Sequence, residues 1–501
     1  MRFRVFPWLL GVVAASSAGC RCASVVSPDA ADAGFTGFES GTGLCITDAG
    51  LLCLPEDGIY VDAAGGDDLN PGTQALPVRT IGKGIMIGSA SFSPKSVFIS
   101  NGTYDESVTM HDGVSLYGGF AASAGWIRDA ALFTTEVRAA DGPAVTATSL
   151  AAETFIDGLV ITGANATAPG ASSIGLLAID TTMLLVHATT IRGGVAAAGA
   201  AGAAGTTGAD ATPGGVGEPG CEDSSGLCSS CSRPVGGPGG NSSCARMGGA
   251  GGGPGHECTC GDMGLPGAGG TLGGAGGCGC GGGDGVAGGD GLPGGPGGDG
   301  TAGGDLGMFE ASGYLTADGA SGVDGSDGSG GGGGGGGSGG DADCDSYGSA
   351  GGGGGGGGCG GTAGTGGGGG GGSFAVVLID SSVALVDCGL EAGVGGAGGA
   401  GGDGGGGGSG GAPGPGGPYG GGGEQDDGGF GADGGAGGLG GAGGSGGGGG
   451  GGPSIALVCW GTSDAPLTNT TTSAGAPGAG GASSGTPGAA GRAAASLNCS
   501  P

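Results

Sequence analysis

Cysteine and aspartate are the residues of this chain best suited to chemistry, and their spacing narrows which kind. Of 17 cysteines, eight (Cys221, Cys228, Cys231, Cys244, Cys258, Cys260, Cys278 and Cys280) fall within one stretch of sixty residues. Such a cluster serves either disulfides or a thiolate-bound metal. Cys228-x-x-Cys231 and Cys258-x-Cys260 lie near His256, but zinc knots pair two C-x-x-C elements and only one is present. The eight are therefore disulfide candidates, and eight cysteines allow 105 pairings, so connectivity stays open. Asp341-x-Asp343-x-Asp345 begins like a calcium loop. Ser346 then stands where glycine is required and Gly352 where a bidentate glutamate belongs, which leaves these three as weak calcium candidates. Gly-Gly-Asp units ending at Asp284, Asp290, Asp299 and Asp305 miss the nonapeptide calcium repeat.

Catalytic chemistry finds less support. The N-terminal half offers Asp62, Asp67, Asp68, Asp105, Glu106 and Asp157 as acids and Lys83, Lys95, Arg128 and Arg138 as bases. Asp67, Asp68 and Asn70 sit in a turn, where such side chains bond their own backbone. His111 and His187 are isolated in the sequence and read as surface or turn residues. Any glycine-rich chain contains G-x-G-x-x-G matches, and no P-loop lysine or strand-flanked G-x-S-x-G accompanies them. No catalytic residue and no cofactor is expected.

Charge excludes one class of partner. The formal net charge is −32, and after Arg192 the only basic residues are Arg233, Arg246 and Arg492. Nucleic-acid binding needs clustered Lys and Arg, so that role is excluded. The N-terminus carries Arg2 and Arg4, an apolar stretch to about Ala15 and then small residues, the layout of a secretory signal. Ser17-Ala18-Gly19-Cys20 resembles the bacterial lipobox, which implies cleavage before Cys20 and acylation of its thiol. More than one acyl chain gives stable anchoring. Export also favours disulfides, and with Cys20 acylated the remaining 16 cysteines suffice for eight bridges.

The elements that position these residues fall into two kinds. Residues 1–200 hold 52 of the 80 Val, Leu, Ile and Phe residues; residues 201–501 hold 28. Only the first part has the apolar side chains for an ordinary core. There, short β-branched runs (SVFISNGTYDES, GVSLYGGF, AVTATS, FIDGLVITGAN) are separated by turn signals, which suits a sandwich or a parallel solenoid. The Tyr60–Ile85 stretch, Asn101-Gly102-Thr103-Tyr104 and Gly113-Val114-Ser115-Leu116-Tyr117-Gly118-Gly119-Phe120 resemble the pectin-lyase-like right-handed β-helices. The likeness is to the bacterial group called domain of unknown function 1565. The resemblance implies an all-β, right-handed parallel β-helix over roughly residues 57–195. Pectate lyases of that fold use carboxylate-held calcium and a basic residue, a layout that the residues above do not reproduce.

Glycine numbers 152, and its placement is periodic. From Gly261 to Asp305 it occupies every third position; Gly393–Gln425 and Gly428–Ser454 repeat the pattern, and Gly199–Gly220 departs from it once, at Ala211. A three-residue period is that of polyproline II. With 24 prolines in the chain, collagen is disfavoured; a bundle of Gly-rich left-handed helices, similar to those of disulfide-stapled antifreeze proteins and phage-fibre tips, and a flexible linker both stay open. The strings IGLLAIDTTMLLVHATTIRGGVAAAGAAG from Ile174, FAVVLIDSSVALVDCGLEAGVGGAGGAG from Phe374 and the weaker SIALVCWGTSDAPLTNTTTS from Ser454 share an apolar strand. In the first two that strand runs into I-D-[ST]-[ST]. All three read as coils of one continuing solenoid.

The resulting expectation is a signal peptide at 1–19, a linker at 20–56, a β-helix at 57–195 and a cysteine-stapled Gly-rich segment at 196–372. A returning coil follows at 373–392, a second Gly-rich segment at 393–453, and a terminal coil with tail at 454–501. The function expected is a non-enzymatic cell-surface lipoprotein held in the membrane by its lipid, with polysaccharide or envelope proteins as partners. A carbohydrate-binding or polysaccharide-cleaving protein is the alternative.

Overall fold

The computed structural model describes residues 52, 54–55, 57–91, 93–221, 232–310, 313–340, 347–418 and 428–499. The signal segment, Cys20, Cys228, Cys231, Asp341, Asp343 and Asp345 lie outside the described residues. Within them the chain winds as a parallel β-helix, the all-β fold class expected. From Ser96 onward each coil lays one short strand in each of three sheets. The first sheet takes Gly58–Val61, Ser96–Ser100, Leu116–Ala121, Thr154–Asp157, Leu184–His187, Val383–Val386 and Leu467–Thr468. The second takes Gly102–Asp105, Thr135–Arg138, Val160–Thr162, Thr190–Arg192, Gly389–Glu391 and Thr471–Ser473. The third takes Val108–Thr109, Val145–Thr148, Ser173–Ile179, Ser373–Ile379, Ser454–Trp460 and Ala493–Leu497.

These strands are too short to stand alone, and stacking supplies what they lack. Val97, Leu116, Ile156, Val186 and Leu385 form one buried column along the first sheet. Val108, Val145, Leu176, Val376 and Leu457 form another along the third. Each buried Val or Leu is worth about 1.5–3 kcal/mol. A helix, Ile81–Ser89, closes the N-terminal end by burying Ile81 and Ile85. Its start is well capped. The Thr80 hydroxyl accepts from the Lys83 amide, and Asp68 accepts from the amides of Arg79 and Thr80 and from the Thr80 hydroxyl. Glu106 takes the free amides of Ile81 and Gly82.

Two corners of the solenoid are built by side-chain ladders. Between the third and first sheets, Ser149, Asp180, Asp380 and Gly461 turn the chain with φ of 55°, 50°, 47° and 69°. Beside them Leu150 donates its amide to Thr181 Oγ1 at 3.4 Å, Thr181 to Ser381 Oγ at 3.0 Å, and Ser381 to Ser463 Oγ at 3.0 Å. The I-D-[ST]-[ST] string is this corner: a left-handed aspartate followed by a hydroxyl rung. Between the first and second sheets the left-handed residues are Gly158, Ala188, Asp387 and Asn469. Thr189 and Thr470 serve as rungs there, accepting from the amides of Leu159 and Cys388.

The third corner, between the second and third sheets, is where the described segments that follow Thr162, Arg192, Glu391 and Ser473 leave and return. These segments bond to one another through their backbones, with a three-residue period. Gly199, Gly202, Gly205 and Gly208 donate to Ala397, Ala400, Asp403 and Gly406 in parallel register. Gly402, Gly405 and Gly408 donate to Thr365, Thr362 and Cys359 in antiparallel register. Among the described residues such segments pack side by side around three central ones at 317–340, 347–372 and 428–453. The 347–372 segment bonds to segments through Ala209, Gly237, Gly249, Gly331, Gly411 and Gly438, one neighbour on each of six sides.

That surround accounts for the longest glycine runs. Gly351–Gly358 lies where 235–240 and 246–253 cover its outer side, and Gly330–Gly337 lies where 249–255, 262–268 and 272–277 do. A Cβ at Gly354 would fall on the carbonyl of Gly331. Beyond the covering segments, Cys359, Thr362 and Thr365 enter the one strand, and Val323, Asp324 and Ser326 the other. Glycine is continuous where neighbours are complete and returns to every third position where a side is bare.

Candidate functional site

The strands of the first sheet point alternate residues outward, and one outward row collects an acid–base cluster. Along it Tyr117, Asp157, His187 and Val386 lie in register on successive coils. Arg128, on a two-residue strand folded antiparallel against Phe120 and Ala121, lays its guanidinium over this row. Its Nη2 donates to Asp157 Oδ2 at 2.6 Å, Nε to the Gly118 carbonyl at 2.9 Å and Nη1 to the Leu52 carbonyl at 2.9 Å. The same cation sits 5.4 Å from the ring centres of both Tyr117 and Phe120. The Leu52 amide gives Asp157 Oδ2 a further donor at 3.1 Å.

On its other oxygen Asp157 meets His187 Nδ1 at 2.8 Å. His187 Nε2 faces Asp387 Oδ2 at 3.4 Å without hydrogen-bond alignment and has no partner. Asp157 and His187 are fully buried, Arg128 nearly so, and Asp387 is 42% exposed. Asn469 on the next coil donates to Asp387 Oδ1 and so orients its second oxygen toward the imidazole. Burial, and the charge of Asp157, push the Tyr117 hydroxyl up to about 12. His187 is thus no surface or turn residue: the parallel register, which no local spacing reports, seats it in the row. His111 is exposed and lies against the Asp112 carbonyl.

Several of the candidate cysteines are bridged. Cys258 joins Cys280, Cys260 joins Cys278, and Cys244 joins Cys359, which stands outside the clustered eight. Cys221 is also disulfide-bonded. A further bridge, Cys459–Cys499, ties the last coil to the one before it. Eight bridges from sixteen thiols is corrected by Cys388, which is free and buried against the Val386 and Val186 carbonyls, its thiol pushed up by burial to about 11. Cys244, Cys359 and Asp327 come close enough to suggest a metal, but the two sulfurs are bonded to each other and offer no thiolates.

The aspartates of the Gly-rich segments are engaged by the bundle. Asp284, Asp290 and Asp299 accept from the amides of Phe430, Ala436 and Ser445, each at 2.8 Å and each 146 residues away. Asp318, Asp324 and Asp327 do the same for Gly369, Ala363 and Gly360. Asp305 pairs with Arg492 at 3.1 Å. The Gly-Gly-Asp units therefore cap a neighbour's outward amide. In the first turn, burial raises the Asp68 carboxyl, but the Thr80 and Arg79 amides, the Thr80 hydroxyl and the Arg79 charge together hold it below its ordinary value.

The outward face of the second sheet carries Asp105, Arg138, Thr162, Arg192, Glu391 and Ser473 in one row. Its charges pair among themselves: Arg138 with Glu136 at 2.9 Å and Arg192 with Glu391 at 2.9 Å. Among the described residues, no helix is long and apolar enough to cross a membrane.

Residues 64–193 match the model of a protein family of unknown function, DUF1565. No curated protein and no solved structure matches the chain.

Proposed function

We propose that this chain is a non-enzymatic lipoprotein of the bacterial envelope, a structural or adhesion module in which the solenoid is a spine and the Gly-rich bundle a stiff lateral projection. The observation that carries this reading is the bundle: its segments leave one corner of the spine and bond backbone to backbone over residues that lack an apolar core. A packed, acid-edged body of this kind suits display and contact. The buried acid–base set at Asp157 supports the same reading, because both Asp157 oxygens are taken by Arg128, the Leu52 amide and His187.

On this reading Cys20 carries the acyl chains, the protein sits at the outer membrane or cell surface, and envelope polysaccharides or proteins are its partners. The test is expression of the full chain in a bacterial host with labelled palmitate, beside Cys20→Ala, followed by incubation with uronate polymers. The expected result is palmitate labelling and membrane retention of the parent only, with no polymer cleaved. Equal retention without label in both forms would remove the anchor. Polymer turnover that is lost on Asp105→Asn or Glu136→Gln would make the chain an enzyme of its polar sheet face.

A further inference from the structure

We infer that His187 and Asp387 form a binding site for a zinc-like divalent cation at the corner of the first sheet. With Asp157 held at Nδ1, Nε2 is the imidazole nitrogen left to face Asp387 Oδ2. The two atoms face each other across 3.4 Å without hydrogen-bond alignment, and Nε2 is buried and unpartnered. A buried polar nitrogen without a partner is costly, and a cation lying between it and Asp387 would serve both groups.

The distances suit a metal. Zinc sits about 2.0–2.1 Å from an imidazole nitrogen and about 2.0–2.2 Å from a carboxylate oxygen. Two ligands 3.4 Å apart subtend about 108° at an ion about 2.1 Å from each, close to the tetrahedral angle. The surroundings are those of a held ligand. A carboxylate on the far imidazole nitrogen is the usual support of a metal-binding histidine, and Arg128 keeps Asp157 in place. Asn469 fixes the Asp387 carboxylate through its other oxygen. Arg128 already offsets the charge of Asp157, so Asp387 is the anion left for the cation to balance. The partly exposed Asp387 side lets water fill the remaining positions and admits an ion such as zinc, which imidazole and carboxylate both accept.

The test uses the full oxidised chain after chelator treatment. Zinc is titrated calorimetrically into the parent, Asp387→Asn and His187→Gln, and cobalt(II) replaces zinc as a spectroscopic probe. Asp387→Asn keeps the Asn469 corner and is partly exposed, so circular dichroism is expected to report an unchanged fold. The expected result is one equivalent bound by the parent with a tetrahedral cobalt spectrum, and affinity lowered by about tenfold or more in Asp387→Asn. No saturable binding by the parent, or equal affinity in the parent and Asp387→Asn, overturns the site.

Discussion

Thr181 and Ser381 stand 200 residues apart in the chain and are adjacent rungs of one ladder, the Thr181 amide donating to Ser381 Oγ at 3.0 Å. The hydroxyl in turn donates to the Ile379 carbonyl at 2.8 Å, so one small side chain joins two coils across a long excursion.

Ser381→Ala should therefore cost more than an ordinary surface change. It leaves the buried Thr181 amide without its acceptor, a loss of about 1–3 kcal/mol. Ser381→Thr should be tolerated, since Thr181 holds the corresponding place one coil earlier. Urea unfolding of the three proteins checks this; equal midpoints for Ser381→Ala and the parent would show that the rung carries no stability.

Gly354 and Gly298 make a matched pair for the bundle. Gly354 lies among six neighbours, and a methyl there meets the Gly331 carbonyl; nothing lies within 4 Å of a methyl at Gly298. Gly354→Ala should destabilise by about 1–3 kcal/mol or more, while Gly298→Ala should be neutral or stabilising by up to about 1 kcal/mol through the unfolded chain. Melting followed by circular dichroism in the polyproline II region reads the difference. Equal melting would mean that the central segment is not enclosed.

Asp68 sets an acid limit on the helix that closes the N-terminal end. Its folded pKa lies below the ordinary 3.8. The stability it contributes is present above the unfolded value and is lost as pH falls through the folded one. The parent should lose melting temperature below about pH 4, and Asp68→Asn should melt lower at pH 7 with a shallower acid slope. Parallel acid slopes in the two proteins would place the titrating group elsewhere.

The repeating corner was legible in sequence because a rung needs a small hydroxyl after a left-handed aspartate, and both signals recur in order at Asp180-Thr181 and Asp380-Ser381. The helix at Ile81–Ser89 shows in the sequence only as the i, i+4 spacing of Ile81 and Ile85. The Arg128–Asp157–His187–Asp387 cluster was not. Its members come from a folded-back strand and three coils, one of them 200 residues on, and meet only after the register is known. Cys359 was invisible as a partner for Cys244 for a similar reason: it is 115 residues away, inside a segment whose place depends on six others. Long glycine runs look like slack in a sequence, and only the neighbours around Gly351–Gly358 give them meaning.

The hairpins of the bundle turn at Gly269–Gly270 and around Gly279–Gly282, yet Gly267, Gly270, Gly273, Gly276, Gly279, Gly282 and Gly285 never lose step. Each residue advances such a helix by a third of a turn. Removing one residue before Gly285 would therefore swing the whole following row, bringing Val286 and Leu292 to the places of Gly285 and Gly291 against a neighbour's backbone and turning bare glycine to water. Removing three would only shorten the projection. This part of the chain has a grammar of its own, in which length is counted in threes and a lateral body can grow or shrink by whole steps while the spine that carries it keeps its pitch.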